Sequence, residues 1–416
     1  MLIVRQPESP AEIDDFFRLA WAAFEPGSYP DAAIPWRDLL IDWPGFDPGS
    51  LRCAFLSGQS GEQMVGGCIV HERVLRLGPS RLRTGCVGGV WTHASHRLKG
   101  VASAVLRDAT AHAIGRRLAI LLLDGIPGFY HRFGYVDVHD ITWHAVDLAR
   151  VLALPPSPYQ IRKAARDDAA ALLDLYQRHY GRYSGSFERD LATQIHCVRH
   201  AGQDDGPWLA IDRERRPRGY LTFSWEFNGA KAGEVGADDE SALVALLQHH
   251  ARVCQAQAVP PTELRWPLPA DSPTFHALAD LLPIRSEISR RPSSDWMARP
   301  ASVDELSRAL VPLWQARWER SALSWSGRLG FHLGGEDGGR WALELAPGYL
   351  AIADGIPEGI PWATLSPGVF TRLLFGQRSV EWAESQPNAH IPDEARGVIA
   401  ALFPAETAWI AGTDSF

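Results

Sequence analysis

Long hydrophobic runs are missing: no stretch of the 416 residues approaches the roughly 20 consecutive apolar positions that a bilayer-spanning helix requires. The opening segment, Met1-Leu-Ile-Val-Arg-Gln-Pro7, has no charged stretch leading into an apolar run, so neither secretion nor membrane insertion is expected. Basic charge is not in excess either. A formal net charge of -8 disfavours attraction to nucleic-acid phosphates or anionic membrane surfaces and tolerates cationic partners. Cysteine is scarce: Cys53, Cys68, Cys86, Cys197 and Cys254 are an odd number, widely spread, with no Cys-x-x-Cys spacing. That pattern argues against a disulfide framework or a zinc knuckle and fits a reducing cytoplasm. His196-Cys197-Val-Arg-His200 on a helix reads as packing and surface, and no metal is expected.

What is present is ordinary globular material, 46% apolar and 22% charged, in a chain too long for one core. Two to three domains of roughly 100 to 200 residues are expected. After a short strand, Leu2 to Arg5, the run Ser9-Pro10-Ala-Glu12 supplies an N-cap serine, a first-turn proline and a capping-box glutamate. Ile13, Phe16, Phe17, Ala20 and Phe24 then recur at helical spacing. Strands over Arg52 to Leu56, Met64 to Leu77 and Leu82 to Thr92 form an antiparallel meander, followed by an amphipathic helix over Val101 to Arg116 and an apolar strand over Leu118 to Leu123. Another strand starts within Tyr135 to Val138, and Leu154-Pro-Pro-Ser-Pro158 is a stiff linker.

The same order of elements starts again at Tyr159-Gln-Ile161-Arg162, with strands at Trp208 to Asp212 and Arg218 to Trp225, a helix over Asp239 to Gln255 and a strand over Glu263 to Pro267. From about Met297 the character changes. A helix covers Val303 to Arg317, a hairpin spans Arg340 to Ile352 with Gly348 at its turn, and short helices cover Ser366 to Phe375 and Asp393 to Phe403. This last part holds no paired carboxylates, serine–histidine pair or glycine-rich phosphate loop.

The chemistry concentrates at Val90-Trp-Thr-His-Ala-Ser-His-Arg97-Leu-Lys-Gly100-Val-Ala102, followed by Phe129-Tyr130-His-Arg-Phe133-Gly134-Tyr135. Arg97-x-x-Gly100-x-Ala102 at a helix start offers main-chain amides to a diphosphate, and the small residues allow close approach. Gly88-Gly89 allows the preceding strand to bulge and open its edge. These features point to chemistry at a coenzyme A thioester. The second repeat has Gly236-Ala-Asp-Asp-Glu-Ser241 at the corresponding place, with no such turn.

Together these motifs resemble the GNAT superfamily of N-acetyltransferases. The two repeats, the third part and the final Thr413-Asp-Ser-Phe416 resemble the Enhanced Intracellular Survival acetyltransferases over essentially the whole chain. The resemblance implies an α+β fold: two tandem GNAT-type domains, at 1–153 and 159–297, the second degenerate, then a sterol-carrier-protein-like α/β domain at 298–416.

It also implies acetyl-CoA as cosubstrate, with Val90, Trp91 and Thr92 presenting strand backbone to the acetyl and pantetheine groups. Leu98, Lys99, Gly100, Val101, Ala102 and Ser103 would form the pyrophosphate turn, and Gly125 and Ile126 the opposite wall. Tyr130 matches the general acid that protects the departing thiolate, and the carboxylate of Phe416 the proton acceptor. A free carboxyl is a weak base for an ammonium, so it would be desolvated, act through water, or mainly attract and orient the amine. Tyr135 reads as packing. Two departures stand out: Leu98 occupies an often basic position, and His93-Ala94 replaces a segment that usually ends in proline. Phe24, Trp36 and Trp43 are aromatic candidates for the amine pocket.

The expected activity is acetyl transfer to a primary amine of an aminoglycoside, polyamine or lysine-like acceptor, by direct attack in a ternary complex. The resemblance further implies a homohexamer. Two alternatives stay open: a non-catalytic protein that senses acyl-CoA or binds an apolar ligand in its third domain, and transfer of a longer acyl chain.

Overall fold

The computed structural model describes residues 1–27, 33–58, 61–126, 128–200, 206–224, 230–289, 296–335 and 338–414. Within these, the chain forms two compact units, one of residues 1–139 and 296–408, the other of 140–289 and 409–414.

The first unit opens with β1 (Leu2–Arg5), α1 (Pro10–Phe24), α2 (Ile34–Ile41), β2 (Leu51–Gly58), β3 (Gly61–Leu77), β4 (Ser80–Thr92), α3 (Val101–Gly115), β5 (Ile120–Leu123) and β6 (Val136–Asp137). The Ser9 hydroxyl caps α1 by accepting the Glu12 N–H at 3.3 Å. Glu12 does not close a capping box on Ser9. Its carboxylate accepts the Glu8 N–H at 2.7 Å and two bonds from the Arg5 guanidinium at 2.8 Å, tying β1 to the helix. Phe16, Phe17 and Ala20 are buried, as the helical spacing requires.

The second unit begins with β7 (Ile141–Asp147) and α4 (Leu148–Leu152). It continues through β8 (Gln160–Lys163), α5 (Ala169–Tyr180), α6 (Leu191–His200), β9 (Trp208–Ile211), β10 (Pro217–Ser224), β11 (Lys231–Ala237), α7 (Glu240–Gln255), β12 (Glu263–Pro267), α8 (Pro273–Leu281) and β13 (Ile284–Ser289). The chain then returns to the first unit with β14 (Met297–Pro300), α9 (Val303–Arg320), β15 (Gly327–Leu333), β16 (Gly339–Ala346), β17 (Tyr349–Ile352), β18 (Trp362–Leu365), α10 (Pro367–Leu374), α11 (Val380–Glu384) and α12 (Asp393–Leu402).

Two of the sheets have matching strand orders, β1-β2-β3-β4-β5-β14-β6 and β8-β9-β10-β11-β12-β7-β13. In each, one strand comes from an unexpected stretch of sequence. β7 lies ahead of the 154–158 linker yet pairs with β12 and β13, from Glu263↔Asp147 to Ser289↔Ile141. β14 follows the second repeat yet pairs with β5 and β6, from Met297↔Leu123 to Pro300↔Ile120. Alternating side chains define a strand but not its partner, so pairing at this sequence distance is set by the assembled core.

The third sheet, β17-β16-β15-β18, lies in the first unit. Its core is a ladder of aromatic rings. Trp314, Phe331 and Trp341 stack within 9° of parallel, and the Phe403 ring meets Trp314 and Phe331 edge-on. All four side chains are buried.

A buried ion network organises the second unit. Arg189 is 3% exposed and donates to Glu234 at 2.7 Å, with the Asp414 carboxylate at 3.0 Å; both acids are 2% exposed. Its guanidinium lies 3.7 Å from the centre of the Tyr176 ring and also donates to the Thr413 hydroxyl at 3.0 Å. The Trp409 N–H donates to the Ser184 carbonyl at 2.7 Å, so residues 409–414 are fastened at both ends. Arg189→Met leaves two buried carboxylates without their cation. The expected cost is about 3–5 kcal/mol, read as a lower urea midpoint for the transition that contains this unit.

Candidate active site

The site begins where two parallel strands part. β4 and β5 pair only through Thr84↔Ile120, Gly85↔Leu121 and Cys86↔Leu122. β4 then continues to Thr92 alongside β3 alone, ending at Gly66↔Thr92. Between Ile69↔Gly88 and Gly67↔Trp91 the register shifts, leaving Gly89 and Val90 opposite Cys68. Gly89 has φ +55°, a conformation costly for other residues, and the Trp36 ring lies against it. The bulge expected at Gly88-Gly89 is therefore formed.

Beyond β4, Ala94–His96 makes a single 3₁₀ turn held by serine–histidine contacts, His93 Nδ1 to Ser95 Oγ at 2.8 Å and Ser95 Oγ to His96 Nδ1 at 2.9 Å. Leu98 follows with φ +60° and a fully exposed side chain, then Gly100 with φ +83°. A leucine in the left-handed region is strained, and here it turns the backbone into the start of α3. Gly100 is the N-cap of α3 and offers no side chain to cap it. The amides of Val101, Ala102 and Ser103 thus lack a partner within the helix, at its positive dipole end. Close packing fixes that end, since a Cβ on Gly66 would lie 2.6 Å from Val101 Cγ1.

The corresponding helix of the second unit begins differently. Asp239 caps α7, its carboxylate accepting the Ala242 N–H at 2.8 Å. Asp238 beside it is paired with Arg178 at 2.9 Å and His179 at 3.2 Å. A helix end without a side-chain cap in one unit is occupied by the chain's own carboxylate in the other.

The facing wall comes from β5. Past Leu123 the chain passes Asp124, Gly125 and Ile126 and reaches a 3₁₀ turn at Tyr130–Phe133. A Cβ on Gly125 would fall 2.2 Å from Tyr130 Cε2, so glycine there lets the phenol ring lie against the strand end. Tyr130 is 7% exposed and meets the rings of Phe129 and Tyr135 edge-on at 5.0 and 6.2 Å. Burial, with Cys68 and Asp124 adding to it, pushes its phenol up to about 12, so the hydroxyl stays protonated. Tyr135 is fully buried in the core and packs beneath it.

These walls enclose a cleft of about 840 Å³. Val90, Trp91, Thr92, Leu98, Gly100, Val101, Ala102, Ser103, Gly125, Ile126 and Tyr130 all line it. Lys99 is not among the lining residues, and its ammonium donates back to the Ser95 carbonyl at 2.9 Å. Phe416 lies outside the described residues. Of the aromatic candidates Phe24 lines the cleft, while Trp36 packs against Phe17 at 5.2 Å and Trp43 stands over the Arg73 guanidinium at 4.9 Å. Ala23, His96, Asp124 and Arg132 also line it, outside the candidate site residues of the sequence. Asp124 carried a readable signal as the first polar residue after the apolar run to Leu123. The other three depend on tertiary placement.

Residues 5–137 match the family model described as Acetyltransferase (GNAT) domain. No curated protein matches the sequence. The fold resembles a GCN5-related N-acetyltransferase from Anabaena variabilis ATCC 29413, with 15% identity, TM-score 0.74 and 100% of both chains covered. One from Kribbella flavida gives 16% identity and TM-score 0.72 over 100% of this chain and 98% of the other. Eis1 from Mycobacterium abscessus gives 16% identity and TM-score 0.65 over 100% of both chains. At these identities the likeness is one of fold. The parted strands, the uncapped helix end and the domain match over residues 5–137 make this protein an acyltransferase enzyme of mixed α/β, GNAT-type fold, built for acyl-CoA-dependent acetyl transfer.

Proposed function

We propose that the protein is an acetyl-CoA-dependent N-acetyltransferase that modifies a primary amine of an aminoglycoside, polyamine or lysine-like acceptor by direct attack in a ternary complex. The observation that carries this reading is the meeting, in one cleft, of a parted strand edge, an uncapped helix N-terminus and a buried phenol.

The diphosphate of acetyl-CoA would rest on the amides of Val101, Ala102 and Ser103, with Arg97 adding charge. Its pantetheine would run along the β4 edge at Val90, Trp91 and Thr92, opposite Gly125 and Ile126. The amine nitrogen attacks the thioester carbon, and a strand amide near Thr92 stabilises the oxyanion. As the C–S bond breaks, Tyr130 donates a hydrogen bond and then its proton to the thiolate. A phenol near 12 is a poorer acid than a free thiol near 8.5, but removal of water also raises the thiol. The Phe416 carboxylate would attract the acceptor ammonium and take its proton directly or through water. That assignment is supported by the family resemblance of the Thr413-Asp-Ser-Phe416 ending.

The division 1–153, 159–297 and 298–416 belongs to the same proposal, as do the degenerate second GNAT-type repeat, a sterol-carrier-like third domain, a hexamer and a cytoplasmic location. The Asp239 cap supports a second repeat that holds no diphosphate. The stacked rings of the third sheet support a packing role there over storage of an apolar ligand.

Thiol release from acetyl-CoA against a panel of aminoglycosides, polyamines and lysine peptides tests the activity. Acceptor-dependent release is expected, and tight acetyl-CoA binding without release with any acceptor would refute it. Tyr130→Phe is expected to lower kcat about 100-fold while leaving the KM for acetyl-CoA nearly unchanged. An equal loss in both assigns the ring to packing alone. Deletion of Phe416 should abolish turnover while calorimetry still shows acetyl-CoA binding. Unchanged turnover removes this carboxylate from the reaction.

A further inference from the structure

One charged group in the cleft has no part in holding a diphosphate. Asp124 is the sole carboxylate among the described residues that line it, and Arg97, Arg132 and His96 line the same cleft. It directly follows β5, past the point where that strand has lost its pairing with β4, and its side chain is exposed. The next residue, Gly125, bears the Tyr130 ring against its Cα, so Asp124 is one peptide bond from the surface that supports the phenol. Its charge is felt there, opposing ionisation of Tyr130 after the larger effects of burial and Cys68. An apolar side chain of the same lining that the cofactor reading does not use is Phe24, at 46% exposure.

A phosphate-bearing ligand gains nothing from this carboxylate and is repelled by it. The anion-receiving elements, the α3 amides and Arg97, come from the β4–α3 wall, whereas Asp124 belongs to the β5 wall. A primary amine reaches the site as an ammonium ion, and a carboxylate that shares a cleft with an exposed apolar ring matches an ammonium carried on methylene groups. We infer that Asp124 is a specificity-determining residue whose carboxylate receives the ammonium charge of the acceptor beside the reacting centre. Phe24 takes up the acceptor's carbon chain. The carboxylate binds and orients; no bond is made or broken at it. This inference rests on the N-acetyltransferase reading above.

The test uses the full-length protein, saturating acetyl-CoA and thiol release with two acceptors of similar size. One is n-butylamine, an ammonium ion at pH 7, and the other an O-alkylhydroxylamine, neutral at that pH. Asp124→Asn should raise the KM for butylamine roughly three- to tenfold and leave the KM values for the neutral acceptor and for acetyl-CoA unchanged. Asp124→Glu should restore most of the loss. Added salt should raise the butylamine KM of the wild type more steeply than that of Asp124→Asn. Equal shifts for the two acceptors, a shift in the acetyl-CoA KM, or wild-type kinetics in Asp124→Asn overturn the inference alone. A wild-type protein that releases no thiol with either acceptor overturns the acceptor reading and this inference with it.

Discussion

The site depends on one constraint, the early separation of β4 from β5. Three paired residues at Thr84, Gly85 and Cys86 anchor the two strands, and past Leu122 they no longer pair. Backbone N–H and C=O groups that lose a ladder partner must be satisfied by something else, and an open strand edge is a template for an extended, amide-bearing ligand. The bulge at Gly89 and the packing of Tyr130 on Gly125 act on the two sides of this opening. One bends the β4 backbone; the other places a phenol where β5 has left room. A side chain at either glycine would meet an aromatic ring, so the opening and the aromatic packing are coupled.

The two related sheets show how little distinguishes a helix end left open from one that is capped. α3 and α7 follow equivalent strands and both pack against a sheet. Gly100 leaves the first amides of α3 without a cap, and its positive φ aims the preceding turn toward them. Asp239 places a carboxylate on the amides of α7, which satisfies a donor and puts a negative charge at that helix's positive dipole end. One side chain at the N-cap decides the outcome. The second unit keeps its architecture for other reasons, among them the buried Arg189 network that fastens residues 409–414.

Much of this was legible without coordinates because its causes are local. Ser9, Asp239 and Ser366 announced helix starts and each caps one. Gly348 announced the β16–β17 turn and adopts φ +71° there. The strand expected over Glu263 to Pro267 is found at those residues. The helix start at Arg97 to Ala102 and the Gly88-Gly89 bulge were legible because a left-handed turn and a bulge each favour glycine. Lys99 was read as part of the turn and lies in it, yet its ammonium bonds back to the Ser95 carbonyl, a choice among rotamers that a sequence does not encode.

The sequence by itself determined most elements, their order, the repeat and the glycine-bearing turn that starts α3, because caps, turns and alternating patterns act over a few residues. Only the tertiary structure decided that β7 and β14 insert into the sheets they join, that Phe24 faces the cleft while Trp36 and Trp43 pack elsewhere, and that Asp124 shares a wall with Tyr130. Those outcomes bring together residues far apart in the chain or choose between faces of similar hydrophobicity. Such choices are settled by the packing of the whole core and not by any local preference.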